Sequence, residues 1–478
     1  MKKLIYSIAV FALLISCDNN TPDFNNNLDG SYEVSAEVLL ANAQKELADQ
    51  MTTSSVNLNP FRYFTQYWSQ TTYNDESRYR LNFRNVPDNH WNNLYRNVLG
   101  NLESAKDIIS AETGDAAVKQ NKLAIIEILQ VYTFQVLVDS FGDIPYSEAL
   151  DVDNKLPKYD DDAVIYPDLI ARLNVALAQL DDSATSFDTG DILYEGNIGG
   201  WRIFANNLKL KLGINISDAN PTSAQTTVQE AFAGGLTLVN ADNSTFQYPG
   251  SAPNYNPIYA DLVASNRNDY VASETLVDEM LGLNDPRIDE YFIPTSSGHV
   301  GGENGAMNTP FTSFSQIGER FRVAGLPAEL FEATEINFYL AEAAARGFAV
   351  GNTPEFYYEA AVRASFEYYG LSTTQATAYL AQPSVAYATA PGDWKAKIGK
   401  QSWIAFFNRP FEGWNTIRRL DQPVLIPASN AVAAADGEIP KRLTYPINEQ
   451  TVNTTNYQNA VSAIGEDRLK IHVFWDVN

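Results

Sequence analysis

Between Phe61 and Tyr79 the chain reads FRYFTQYWSQTTYNDESRY, a run in which aromatic rings alternate with amides, hydroxyls, carboxylates and guanidinium groups. That mixture suits an uncharged oligosaccharide. Sugar rings offer C–H faces that stack on flat aromatics, and their hydroxyls are met by groups that donate and accept in pairs. Trp68, Gln70, Tyr73, Asn74 and Arg78 are the candidate contacts, with Trp91 close behind; Tyr67, Asp75 and Tyr79 complete the set. The competing reading makes Tyr67 and Trp68 the buried face of a helix, and Asp75 with Arg78 a surface ion pair. Trp201 and Trp414 sit within amphipathic patterns and read as core.

Other chemistry finds little support. His90, His299 and His472 are far apart, and none pairs with another at helical spacing. Asp151, Asp153, Asn154 and Asp160 to Asp162 invite a calcium reading, but the glycine and terminal glutamate of an EF-hand loop are missing, so a solvated acidic loop is expected. No metal and no cofactor is called for. The Gly-x-Ser-x-Gly and His-Glu-x-x-His patterns are absent. A glycoside hydrolase needs only two carboxylates, and 58 Asp and Glu leave that reading open as an alternative.

The elements that must position the aromatic segment are mainly helical. Apolar residues recur at spacings of three and four over Ser35 to Gln50, Trp91 to Ile109, Ala116 to Val138, Ala163 to Leu180 and Trp201 to Ile216. The stretch from Pro221 to Pro327 is rich in Gly, Pro, Asn and Ser, and reads as loops with a few short helices and a hairpin. Helical pattern returns at Thr334 to Arg346. A second helix opens at Thr353-Pro354, a good N-cap and first-turn pair, and runs to Tyr369 before Gly370. Ala341, Ala344 and Ala345 on the first are expected to face Ala360, Ala361 and Ala364 on the second, as in a tetratricopeptide-type pair. One further aromatic helix is expected near Trp403 to Leu420. FGDIPYSEAL, from Phe141 to Leu150, reads as a helix stop with Pro145 in the turn.

The start of the chain, MKKLIYSIAVFALLISCDNN, has two lysines, a short apolar run and then Cys17, the one cysteine in 478 residues. The run is too short to span a bilayer, which takes about 20 residues, and its order is that of a secretory signal peptide. Leu14-Ile15-Ser16-Cys17 resembles a bacterial lipobox, in which the thiol is acylated and the peptide is cut before it. A plain signal peptide with an incidental cysteine is the bland alternative. An acylated Cys17 leaves no free thiol for catalysis. The expected organisation is a lipoprotein signal peptide over 1–16, the lipidated cysteine and a flexible tether over 17–30, and one binding domain over 31–478. Loss of Lys2 and Lys3 with the signal takes the formal charge from −25 to −27. Such a field repels nucleic acid and anionic headgroups, so no nucleic-acid partner is expected. Hydrophobic residues at 45% and aromatics at 12% suit a globular core.

Seven stretches together resemble the SusD/RagB-like family of outer-membrane nutrient-binding lipoproteins. They are LISC at Leu14, QYWSQTTYNDESRYR from Gln66, DSFGDIPYSEAL from Asp139, WRIFANNLKLKLGINISDANP from Trp201, LNDPR from Leu283, EINFYLAEAAARG from Glu335, and RPFEGWNTIRRL from Arg409. The resemblance implies a mostly α fold, with four tetratricopeptide-like helix pairs as scaffold and an irregular, loop-rich region on the ligand face. It also implies a non-catalytic protein on the outer membrane, lipid-anchored at the cell surface. Such a protein delivers an oligosaccharide, or in some members a peptide, to a SusC-like TonB-dependent transporter. Only Asp18 and Asp23 stand where surface-exported lipoproteins often carry an acidic cluster, which bears on the leaflet and not on the anchor.

Overall fold

The computed structural model describes residues 34–477. The expected signal peptide, Cys17 and the tether lie outside the described residues. From Ala36 onward the chain forms one compact unit. It is mostly helical, and strands appear only as four short two-stranded pairs.

The longer helices are α1 (Ala36–Thr52), α2 (Gly100–Ala111), α3 (Ala116–Phe141), α4 (Asp162–Gln179), α5 (Ile198–Asn215), α6 (Pro221–Gly234), α7 (Ala333–Ala345), α8 (Pro354–Tyr368), α9 (Trp394–Ala405), α10 (Pro410–Leu420) and α11 (Thr454–Ile464). Four successive pairs pack together: α3 with α4, α5 with α6, α7 with α8, and α9 with α10. Caps set their starts. Asp115, Asp161, Asn197, Asn220, Thr353 and Asp393 each accept a backbone N–H of the first turn, which satisfies a donor the helix itself cannot. Ala341 and Ala361 are fully buried between α7 and α8, where small side chains let two backbones approach.

Helix α3 is long and apolar enough to cross a membrane, yet its residues from Ala124 are almost all buried in protein. Its carboxylate Asp139 holds five donors from five parts of the chain. Gln135 on the same helix donates to it, as do Tyr166 (2.5 Å) on α4, Asn215 (3.2 Å) on α5, Asn415 (2.8 Å) on α10 and Trp475 (2.9 Å) near the end of the chain. A buried carboxylate is tolerable only when its lone pairs are met in this way.

Two elements differ from the sequence expectation. The single helix near Trp403 to Leu420 is two, α9 and α10. Pro410 has no N–H to donate, and Arg409 before it is extended at φ −125°, ψ 65°, so the helical ladder cannot cross. The stretch from Pro221 opens with the 14-residue α6, because Asn220 caps it and Pro221 takes the first-turn position that a missing N–H does not harm.

Candidate functional site

Gly413 on α10 carries no side chain where Tyr67 presses against the helix, and a Cβ there would collide with the tyrosine oxygen. The Tyr67 hydroxyl instead donates to the Trp403 carbonyl at 2.5 Å. The next residues form strand β1 (Trp68–Gln70), paired antiparallel with Tyr270–Ala272. Trp68 is wholly buried, with the Arg62 guanidinium over its ring at 4.7 Å and the Tyr270 ring at 5.5 Å. Trp91 is also buried, against Tyr95, Phe141 and Tyr159. Both tryptophans named from the sequence are therefore packing residues with no face to offer a ligand. Trp68 is buried by the strand pairing with Tyr270–Ala272, and Trp91 by Phe141 and Tyr159, partners that lie far along the chain.

Past Gln70 the chain turns out to the surface. Gln70 is buried and its amide ties the turn shut. Its nitrogen donates to the Tyr73 carbonyl (2.9 Å) and to Glu76 (3.1 Å), and its oxygen accepts from the Ser77 N–H (3.2 Å) and hydroxyl (2.5 Å). Asn74 donates to the Gly305 carbonyl, and Arg78 donates to the Asn430 carbonyl at 3.2 Å. Three of the polar candidates are thus staples of the loop.

Tyr73 is different. It stands 63% exposed, on a backbone held at φ 53°. A left-handed conformation is uncommon for an aromatic residue and clusters at functional sites. Among the described residues, four of the nine non-glycine residues with positive φ fall between Gln66 and Asn85, so strain is concentrated in this one segment. Tyr73 borders a cleft of about 140 Å³ with Asn57, Thr72, Arg84, Arg267 and Asp269 around it. The far wall is fixed to the near one: the Thr71 N–H donates to the Asp269 carbonyl at 2.9 Å, and the Thr72 hydroxyl to the Asp269 carboxylate at 3.2 Å. Arg84 packs beside the Tyr73 ring at 5.6 Å and pairs with Glu76 and, at 3.4 Å, with Asp75. Burial pushes the Glu76 carboxyl up, while Gln70 and Arg84 work against that shift. An aromatic face, amides, a hydroxyl, a carboxylate and guanidinium groups meet here.

Arg84 and its exposed neighbour Phe83 escaped the sequence reading, as did the Arg267–Asp269 wall. An isolated phenylalanine in the polar stretch Asn82–Asn85 was the available signal for the first two. The wall had none, since it is brought in by β-pairing across some 200 residues.

Elsewhere, His90 is buried between Gln50 and Ser140, His299 faces Asp289, and His472 faces Asp476, so the histidines stay apart. The acidic stretch is not uniformly solvated. Asp143, Asp161 and Asp162 bring carboxylate oxygens within 4.8 Å of one another, and Asp162 is buried and accepts the Phe474 N–H at 2.9 Å, which offsets part of the cost of burial. Asp143 accepts the Asp162 N–H and Asp161 caps α4, so all three carboxylates have work within the fold.

The stretches from Trp201, Glu335 and Arg409 are tied together by buried ion pairs. Every residue of α10 is buried, and two of its charges, Glu412 and Arg419, are paired across helices, while Arg418 donates to the Lys441 carbonyl and to Asn415. Arg419 meets Glu342 at 3.0 Å, Lys211 meets Glu412 at 2.5 Å, and Arg409 just before the helix meets Glu335 at 2.6 Å.

Residues 26–446 match the model of a family described as SusD-like, starch-binding and associating with the outer membrane. This chain belongs to the SusD-like family. Solved SusD-like structures share its fold. One chitin-binding protein is 28% identical over 93% of this chain and all of its own, with a TM-score of 0.80. A chitin-binding SusD homologue from Flavobacterium johnsoniae is 25% identical over 92% of this chain and 99% of its own, at 0.78. A SusD homologue from Bacteroides uniformis has the same identity, coverage and score. No curated protein matches the sequence.

Proposed function

We propose that this SusD-like protein is a non-catalytic, lipid-anchored binding protein of the outer membrane. It captures a neutral oligosaccharide at the Tyr73 cleft and passes it to a SusC-like TonB-dependent transporter. The observation that carries the reading is Tyr73 itself: a strained, exposed ring at the mouth of a cleft whose other groups suit sugar hydroxyls. Chitin-binding relatives of the same fold support the ligand class. Of the residues first named, Tyr73 is the direct contact, and Gln70, Asn74 and Arg78 hold its loop in place.

Lipidation at Cys17 supplies the anchor. Only 13 residues, Asp18 to Gly30, then stand between the anchor and the binding domain, and a coil of that length would span about 20 Å. A barrel partner in the same membrane then meets the body at high effective concentration, so a modest interface suffices.

Titration calorimetry of the soluble body with chitin and malto-oligosaccharides tests the ligand. Binding without product release is expected, and Tyr73→Ala should weaken it about tenfold with an unchanged melting temperature. Turnover of the sugar would favour a glycoside hydrolase, and capture of peptides in place of sugars would favour a peptide binder. Palmitate labelling that fails on the native chain, or Cys17→Ala that stays in the membrane fraction, would remove the anchor. Recovery of the native protein from solubilised outer membrane without a TonB-dependent barrel would remove the partner.

A further inference from the structure

Three aromatic side chains stand more than half exposed among the described residues: Tyr73, Phe83 and Phe356. Two of the three share one guanidinium. The Arg84 carbon lies 5.6 Å from the Tyr73 ring centre and 5.3 Å from that of Phe83. Arg84 itself is mostly buried and cannot swing away, because Asp75 and Glu76 hold it. Arg80 lies over Phe83 as well, at 5.6 Å, and is tied to Asp75 at 3.2 Å. Exposing one large ring is ordinary; fixing two about a clamped cation is not what folding alone requires.

Behind Phe83 lies a second cleft, of about 300 Å³. Leu81, Val432 and Leu469 give it an apolar floor, while Arg80, Asn82 and Thr444 give it a polar rim. Leu81 is buried and anchors the turn, and Asn85 at φ 51° closes it, so Phe83 is held outward. Apolar floor and hydrogen-bonding rim are again the two halves of a sugar ring's surface.

We propose that this second cleft is a further sugar subsite, and that Arg84 sets its spacing from the Tyr73 subsite so that the protein selects oligomers over single sugars. The inference rests on the oligosaccharide reading above. Tyr73 lines one cleft and Phe83 the other, and their ring centres lie no farther apart than the sum of their distances to Arg84, a span that a short sugar chain covers. Once the first sugar is bound, the second contact is intramolecular and gains affinity without a new partner.

The experiment is calorimetry with two ladders, N-acetylglucosamine and glucose, each from monomer to hexamer. In the wild-type protein the affinity for the ladder that binds should climb about tenfold or more beyond the monomer and then level off. Phe83→Ala should abolish the climb at an unchanged melting temperature, and Arg84→Lys, which keeps a charge but loses the planar fork, should reduce it. Tyr73→Ala should weaken every length. A ladder that climbs equally in Phe83→Ala overturns the second subsite while leaving the Tyr73 reading intact. If Tyr73→Ala also binds as the wild type does, or if neither ladder binds at all, the oligosaccharide reading falls and takes this one with it.

Discussion

Tyr73 and Trp68 lie five positions apart in one aromatic run, and the fold sends them to opposite fates. Trp68 enters a strand and is sealed under Arg62 and Tyr270, whereas Tyr73 leaves the strand on a left-handed turn. Trp68→Ala should therefore lower unfolding stability by about 3–5 kcal/mol, as large-to-small changes in cores do. Denaturant unfolding measures this, and a loss below about 1 kcal/mol would mean the ring is not core. Tyr73→Ala should be the reverse, costing affinity and sparing stability. The composition of the run was legible in the sequence, because rings next to amides and guanidinium groups are rare outside packed cores and ligand faces. Which ring faces outward was not. That depends on Gln70 folding its amide back onto Ser77 and Glu76, and on the strand partner at Tyr270–Ala272, neither of which leaves a local pattern.

The helices were the legible elements, since a buried stripe repeats every three or four residues and capping residues announce the starts. Ala116–Phe141 and Pro354–Tyr368 lie where periodicity and the Thr353-Pro354 pair put them. The failures have a common cause. Helix α6 hides in a Gly- and Pro-rich composition, and the break at Pro410 hides in a continuous apolar pattern. What joins the elements is electrostatic and long-range. Arg419 on α10 makes three contacts with the Glu342 carboxylate on α7, and it also donates to Asn215 on α5 at 3.0 Å. Removing one partner of a buried pair typically costs about 3–5 kcal/mol, far more than a surface pair, and here Glu342 would keep Arg346, at 2.9 Å, as its cation, which sets the loss at the lower end of that range. Arg419→Ala should show a loss of about that size in urea unfolding. The exposed pair Arg363–Glu359 on α8 serves as the control: Arg363→Ala should change stability by less than about 1 kcal/mol. Equal effects at the two positions would refute the role given to the buried pair.

At the scale of the whole molecule, the buried acids set a pH dependence whose sign can be worked out. Desolvation pushes Asp162 and Glu329 up to about 7, and Glu332 up to about 8, where Arg409 opposes the shift and Glu329, Glu335 and Glu412 add to it. Their ordinary values are 3.8 for Asp and 4.5 for Glu. Between the ordinary and the raised values the folded protein binds protons that the unfolded chain has released. Stability must then fall as pH rises through that window. Glu412 has the opposite sign. Burial works against its charge, but Lys211 and Arg409 outweigh burial and hold the carboxyl below its ordinary value, so its contribution is lost on the acid side. The formal charge of −25 acts in the same direction as the raised group, because each further ionisation adds to self-repulsion. Together these place the stability maximum on the acid side of neutrality, at about pH 5. Thermal unfolding at constant ionic strength should give a melting temperature that declines from about pH 5 to about pH 8. Glu332→Gln keeps the shape and removes the titration, so it should make that decline shallower. A melting temperature that rises over the same range would mean that these carboxylates stay ionised in the folded protein.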